Sequence, residues 1–189
     1  MRRILIALLF IISLFIISCG GGAYKLRSAK APASSMIYGY LNTSNADLTG
    51  NCWVSLRRYV GERKDRRYIA ECDELGFFWT QNLPAGTYKT EKFGNHAKFL
   101  DEPGGLRVIR NLNDFRREHI IEINKPGLYY YGSWEVSRGG SGSFGPGMQF
   151  IEKSKRRTEE DALKAMLPNA GGTTWEPKIE SRLSALKGK

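Results

Sequence analysis

Histidine and cysteine are the scarcest chemically active residues in this chain: two histidines, His96 and His119, and three cysteines, Cys19, Cys52 and Cys72, among 189 residues. There is no zinc-binding helix motif, no Walker loop and no nucleophile elbow, and the two histidines have no metal-ligand spacing. The sequence therefore nominates no catalytic residue, no cofactor and no metal ligand. Acidic residues are also outnumbered, 19 Asp+Glu against 29 Lys+Arg. The carboxylates that remain, such as Asp101, Glu102, Asp114 and Glu118, are scattered. A carboxylate-dependent hydrolase, which needs two of them facing one another, is accordingly the weakest of the functional readings. Nor is there an apolar run long enough to span a bilayer. The stretch from Ile4 to Ile17 falls short of the roughly 20 residues required and is followed closely by Gly20, Gly21 and Gly22.

That short run has a different meaning because of what flanks it. Arg2 and Arg3 precede it and Ser18 closes it, the pattern of an export signal over residues 1–18. The exit Ile16-Ile17-Ser18-Cys19 resembles a bacterial lipobox, with Ile where Leu is most often found. The resemblance implies that Cys19 is lipidated, and buried acyl chains hold a soluble domain at a membrane. Gly20 is not the aspartate that retains many lipoproteins at the inner membrane, so the expected location is the outer membrane of the envelope. Residues 19–35, rich in Gly, Ala, Ser and Lys, read as a flexible tether. The net charge of +10 suits anionic headgroups, lipopolysaccharide or peptidoglycan in that compartment, and no nucleic acid partner is expected.

With Cys19 lipidated, Cys52 and Cys72 remain, and an oxidising compartment pairs them. The runs Cys52–Tyr59 and Arg67–Cys72 read as a β-hairpin. Centred on Glu62, it sets Leu56 opposite Tyr68, Val54 opposite Ala70 and Cys52 opposite Cys72. It also opposes Arg57 and Arg67, a like-charge pair that calls for a shift or a bulge. Further strands are expected at Met36–Leu41, Phe77–Gln81, Thr87–Phe93, Leu106–Ile109, His119–Ile123, Leu128–Val136 and Met148–Glu152, broken by Gly, Pro, Asn and Asp. So many short alternating strands predict an antiparallel β-sandwich over residues 36–153. A helical extension over 154–189 follows, packing on the sandwich. Thr158 caps its first helix, Ala162, Leu163, Met166 and Leu167 form an apolar stripe, and Pro168 is the expected stop. The second begins near Trp175 and carries Ile179, Leu183 and Leu186.

Within this plan, Asp73, Gly76, Phe77, Leu83, Pro84, Gly86 and Tyr88 carry the clearest signature: Asp and Gly start a strand, and Leu-Pro-x-Gly-x-Tyr turns into the next. The pattern resembles the carboxypeptidase-regulatory-like, or transthyretin-like, β-sandwich domains, and covers about Met36 to Phe93. The later stretch Ile121–Trp134, with Thr158–Leu167 and Trp175-Glu-Pro177, is similar to uncharacterised bacterial lipoproteins. These resemblances imply fold and location, and no reaction. The expectation is a non-enzymatic envelope lipoprotein serving as a structural or protein-interaction module; the alternative is a binding module for envelope glycan or anionic lipid.

Strict alternation puts Leu128, Tyr130, Trp134 and Val136 on a core face and leaves Tyr129 and Tyr131 outward. Together with Arg66 and Arg67 these two tyrosines form the candidate ligand surface. Trp53 and Trp79 are expected to be buried or packed on a second face. Basic clusters recur at Arg57-Arg58, Arg63 to Arg67, Arg116-Arg117 and Lys153 to Arg157, and convergence of several on one face would favour an anionic surface. A Gly140-Ser-Gly142-Ser-Phe-Gly145 string is read as a hairpin tip, since Pro146-Gly147 leads into a strand-like run and not a helix.

Overall fold

The computed structural model describes residues 26–29, 34–43, 52–96, 106–111, 119–138 and 149–188. Cys19 and residues 1–18, Asp101, Glu102, Asp114, Arg116, Arg117, Glu118 and the Gly140–Gly145 string lie outside the described residues. The described part is mainly β, with two antiparallel-rich sheets and two helices near the C-terminus. The strands are β1 (Ser35–Asn42), β2 (Cys52–Val60), β3 (Arg63–Glu71), β4 (Phe77–Leu83), β5 (Gly86–His96), β6 (Leu106–Asn111), β7 (Ile120–Ile123), β8 (Leu128–Arg138) and β9 (Gln149–Lys153). The helices are α1 (Glu159–Ala170) and α2 (Glu176–Lys187).

One sheet runs β4-β1-β8-β9 and the other β3-β2-β5-β6, with β7 pairing the first residues of β5. All pairs are antiparallel except β1 with β8. Alternation explains the layering. Ile37, Leu41, Phe78, Tyr131, Trp134 and Val136 of the first sheet meet Val54, Leu56, Ala70, Tyr88, Phe93 and Ile123 of the second in one buried cluster. The other face of the first sheet is also apolar: Met36, Tyr38, Tyr40 and Phe77 pack with Leu163, Met166, Trp175, Ile179 and Leu183 of the helical region. Every residue of β1 is buried, because it is the strand with a core on both faces.

The hairpin forms as its pattern dictates. Val54 faces Ala70, Leu56 faces Tyr68 and Arg57 faces Arg67, and the register slips between Arg57 and Tyr59, where Asp65 and Arg66 of β3 bulge opposite Arg58. Cys52 and Cys72 form a disulfide with Cα atoms 5.1 Å apart. The opposed arginines are reconciled by β5, whose own register against β2 slips at Glu91. That residue stands between them, its Oε1 3.2 Å from Arg57 Nε and its Oε2 3.4 Å from Arg67 Nε. Arg58 turns to Asp65 at 2.7 Å and to the Ala85 carbonyl.

A bulge in β8 corrects the expected facing of its aromatic residues. Between Tyr38 and Gly39 of β1 the register jumps from Tyr130 to Gly132, and Gly132 has φ +115. A Cβ on Gly39 would lie 2.7 Å from the Gly132 carbonyl oxygen, so two glycines meet where the strands approach most closely. The extra residue inverts the alternation. Leu128 and Tyr130 face the helices, whereas Tyr131, Trp134 and Val136 all enter the core between the sheets, with Tyr129 packed against it.

The helices depart from expectation at one point: Pro168 lies inside α1, which continues to Ala170. The missing N–H deprives only the carbonyl of exposed Lys164 of its helical partner, and fully buried Ala170 rewards the continued turn. Thr158 and Asp161 form a capping box, as the Thr-Glu-Glu-Asp spacing requires. Residues 26–29, within the stretch read as tether, are docked. Leu26 is 1% exposed, its N–H donates to the Asn169 carbonyl, and the Arg27 carbonyl accepts from Trp175 Nε1 at 2.9 Å. A buried indole needs an acceptor, and this backbone supplies it.

Candidate functional site

The four residues of the expected ligand surface are not brought together. Tyr131 is 5% exposed and its hydroxyl lies 2.7 Å from Nδ1 of buried His119. Tyr129, half-buried, donates its hydroxyl to the Lys125 carbonyl at 2.7 Å. Arg66 and Arg67 are exposed on β3, in the other sheet, with Arg66 over the Tyr68 ring and Arg67 held by Glu91. Tyr131 is thus a core residue, and the β8 bulge is the physical reason. Trp53 is buried at 3% exposure, and Trp79 is half-buried against the helical cluster.

The signature region folds as a tight unit. Asp73 Oδ1 accepts from the N–H groups of Leu75 and Phe77, both at 2.9 Å, and Gly76 takes φ +93. Burial raises the Asp73 carboxyl pKa, against the lowering effect of those bonds. Leu83 and Tyr88 are fully buried, and the Tyr88 hydroxyl closes back on the Pro84 carbonyl at 2.7 Å. Burial pushes the Tyr88 hydroxyl well above its ordinary value.

Positive charge converges elsewhere, where the helix-facing side of β8 meets the helical layer. A hollow of about 570 Å³ is lined by Tyr130, Ser133, Lys153, Lys155, Arg157 and Glu159. A second, of about 650 Å³, is lined by Gly127, Leu128, Pro177, Lys178, Ser181 and Arg182. Leu128 and Tyr130 share one face of β8, and an ion pair joins the two hollows: Arg182 Nε and Nη2 lie 2.8 and 3.1 Å from the Glu159 carboxylate. The two hollows therefore form one seam, carrying five cationic side chains and a single carboxylate, Glu159.

That carboxylate is already engaged. It accepts the Tyr38 hydroxyl at 2.6 Å as well as the Arg182 fork. Burial first, and then the Glu159 bond, hold the Tyr38 hydroxyl far above its usual range, while Glu159 raises the Arg182 pKa. Burial, with Glu159 and Asp161 adding to it, pushes Tyr130 up to about 12. Two cations rest on aromatic rings at the rim: Lys178 Nζ lies 4.7 Å from the Trp175 ring centroid and Arg157 Cζ 5.8 Å from that of Phe77. The stretch Lys153 to Arg157 is visible in the sequence as a basic cluster. Its convergence with Lys178 and Arg182 is a tertiary fact without a local signal.

Among the described residues no three His, Cys, Asp or Glu side chains gather to hold a metal ion, and no helix is long and apolar enough to cross a membrane. No protein-family model and no curated protein matches the chain. Two solved structures are similar at low level. One is a leucine-rich repeat protein from Bacteroides thetaiotaomicron VPI-5482, at 15% identity and TM-score 0.34 over 52% of this chain and 12% of that one. The other is a 9R-lipoxygenase from Cyanothece PCC8801, at 14% identity and TM-score 0.33 over 86% of this chain and 26% of that one. The chain thus spans a small part of both proteins, and at these scores neither informs its role.

Proposed function

We propose that this chain is a lipid-anchored protein of the bacterial envelope, held at the outer membrane through Cys19. Its folded part serves as a non-catalytic structural or protein-interaction module, a carboxypeptidase-regulatory-like β-sandwich backed by a helical layer. One observation carries the reading: Cys52 and Cys72 are joined in a disulfide, the state an oxidising compartment maintains, in a chain whose remaining cysteine follows a stretch that reads as an export signal. The sandwich assignment draws support from the turn in which Leu83 and Tyr88 reach the core and Tyr88 bonds Pro84. Four of the described carboxylates have structural partners. Glu91 bridges two arginines, Asp161 caps a helix, Asp73 shapes a turn and Glu159 binds Tyr38 and Arg182.

Metabolic labelling with a palmitate analogue in the wild type and in Cys19→Ala tests the anchor. Label is expected in the wild type only; absence from both overturns the proposal. A second reading, recognition of envelope glycan or anionic lipid, is favoured by the seam alone. Pull-downs against peptidoglycan, lipopolysaccharide and envelope extract at several salt concentrations separate it from a protein partnership, since only binding to the charged polymers should collapse as salt rises.

A further inference from the structure

We propose that the helical layer is the face turned toward the membrane, and that the seam along β8 takes phosphate-bearing headgroups of an anionic bilayer. The inference rests on the anchoring of Cys19 for its geometry and on the seam for its chemistry. Were residues 19–35 a free tether, the domain could stand about 55 Å from the anchor and face any direction. Docking of residues 26–29 removes that freedom. The chain between Cys19 and Leu26 spans at most about 25 Å when fully extended. Leu26 sits against α1 through Asn169, while the Arg27 N–H donates to Gln81 of β4 and the Ala29 N–H to Thr174 Oγ1. Leu26, only seven residues after Cys19, therefore lies on the helical layer on its β4 side.

The cations lie on the same layer: Lys178 rests on Trp175, whose Nε1 bonds the Arg27 carbonyl, Arg157 rests on Phe77 of β4, and the others line the two hollows beside β8. In the sheet beneath the helices the order is β4-β1-β8, so the cations reach from the docked segment's side of the layer across to β8. A bilayer held near the helical layer by a short leash meets these cations if the helices face it. What it meets there is complementary: Lys155, Arg157 and Lys178 around two open hollows, beside Lys153 and the Arg182–Glu159 pair. Each hollow has the volume of a small-molecule site and is walled partly by Leu128 and Tyr130, so a headgroup can enter with its phosphate on the cations. The ring contacts of Arg157 and Lys178 keep those two charges at the rim. The β2–β3 hairpin belongs to the other sheet, behind the core, and points its arginines away from the bilayer.

The test uses the full lipidated protein reconstituted in vesicles of phosphatidylcholine, with and without phosphatidylglycerol. A fluorophore is placed at exposed Ser184 of α2 (Ser184→Cys) or at exposed Glu62 of the hairpin tip (Glu62→Cys), and a headgroup-attached nitroxide serves as quencher. Strong quenching is expected at position 184 in the anionic vesicles and little at position 62 in either. Combined reversal by Lys155→Glu, Arg157→Glu and Lys178→Glu should lower the quenching at 184 at least tenfold, whereas Lys155→Arg with Lys178→Arg should preserve it. Equal quenching at both positions, or no response to the reversal in a variant with an unchanged melting curve, overturns the proposal. So does loss of quenching on addition of inorganic phosphate at matched ionic strength, which assigns the seam to a free anion. Mass spectrometry of the same sample reads the lipid at Cys19 independently. Unlipidated protein that still sediments with anionic vesicles, and fails to after the reversal, would remove the anchor while retaining the seam.

Discussion

At Glu91 a single carboxylate makes an otherwise unfavourable strand pairing tolerable. Arg57 and Arg67 stand directly opposite one another, and the Glu91 oxygens reach both from a bulge on the neighbouring strand. The side chains of Glu91 and Arg57 are 13% and 19% exposed, so water screens the pair only in part. Glu91→Gln should therefore destabilise the protein by about 1–2 kcal/mol. Urea denaturation at low and high salt checks this, and added salt should recover part of the loss. The conflict between Arg57 and Arg67 is legible from the hairpin register; its resolution is not, because Glu91 is remote in sequence and reaches them only through a slip in pairing. Tyr131 shows the converse difficulty. Alternation assigns it outward, but it is itself the extra residue of the bulge, just before Gly132, and it turns inward to His119. A glycine inside an aromatic strand is the trace such a bulge leaves in a sequence.

Among the elements, α1 is fixed by its first turn. The Thr158 side chain accepts from the Asp161 N–H and the Asp161 carboxylate accepts from the Thr158 N–H, both bonds written in the sequence as a capping pattern. Thr158→Ala should cost about 1 kcal/mol. The pH dependence has a definite sign. The Thr158 N–H lowers the Asp161 pKa below 3.8, so the contribution of this carboxylate is complete above the ordinary carboxylate range and is lost as pH falls through its folded value. Thermal melts from pH 6 down to pH 3 should find Asp161→Asn less sensitive to acid than the wild type. The strands and both helices were readable from apolar period and turn residues, since each element's local preference agrees with its place in the core. What local pattern could not give was the docking of Leu26 to Ala29: one leucine in a polar run carries no period, and its partners on Asn169, Gln81 and Thr174 are set by tertiary packing.

For the molecule as a whole, three tyrosines hold the layers together and set its behaviour in alkali. Tyr38 and Tyr130 lie between the first sheet and the helices, and Tyr88 lies between the sheets. All three hydroxyls have pKa values above the usual 10.0 because burial disfavours the phenolate. Their contribution is complete below pH 10 and falls as pH rises, since the unfolded chain releases these protons first. Tyr130 loses its share between pH 10 and about 12. Stability measured by urea at pH 8, 10 and 11 should fall along that series, and Tyr130→Phe should flatten the decline. The pairing of β1 with β8 has a consequence for how the chain matures. Met36 lies beside Leu128, so the innermost strand is bordered on one side by a neighbour synthesised much later. A chain synthesised from its N-terminus delivers β1 early and cannot complete its sheet until β8 has followed, which leaves Tyr38 and Ile37 without their final neighbours in the interval. A chaperone that shields exposed apolar strands would have its natural target there, in the earliest of the described strands to arrive and among the last to be enclosed.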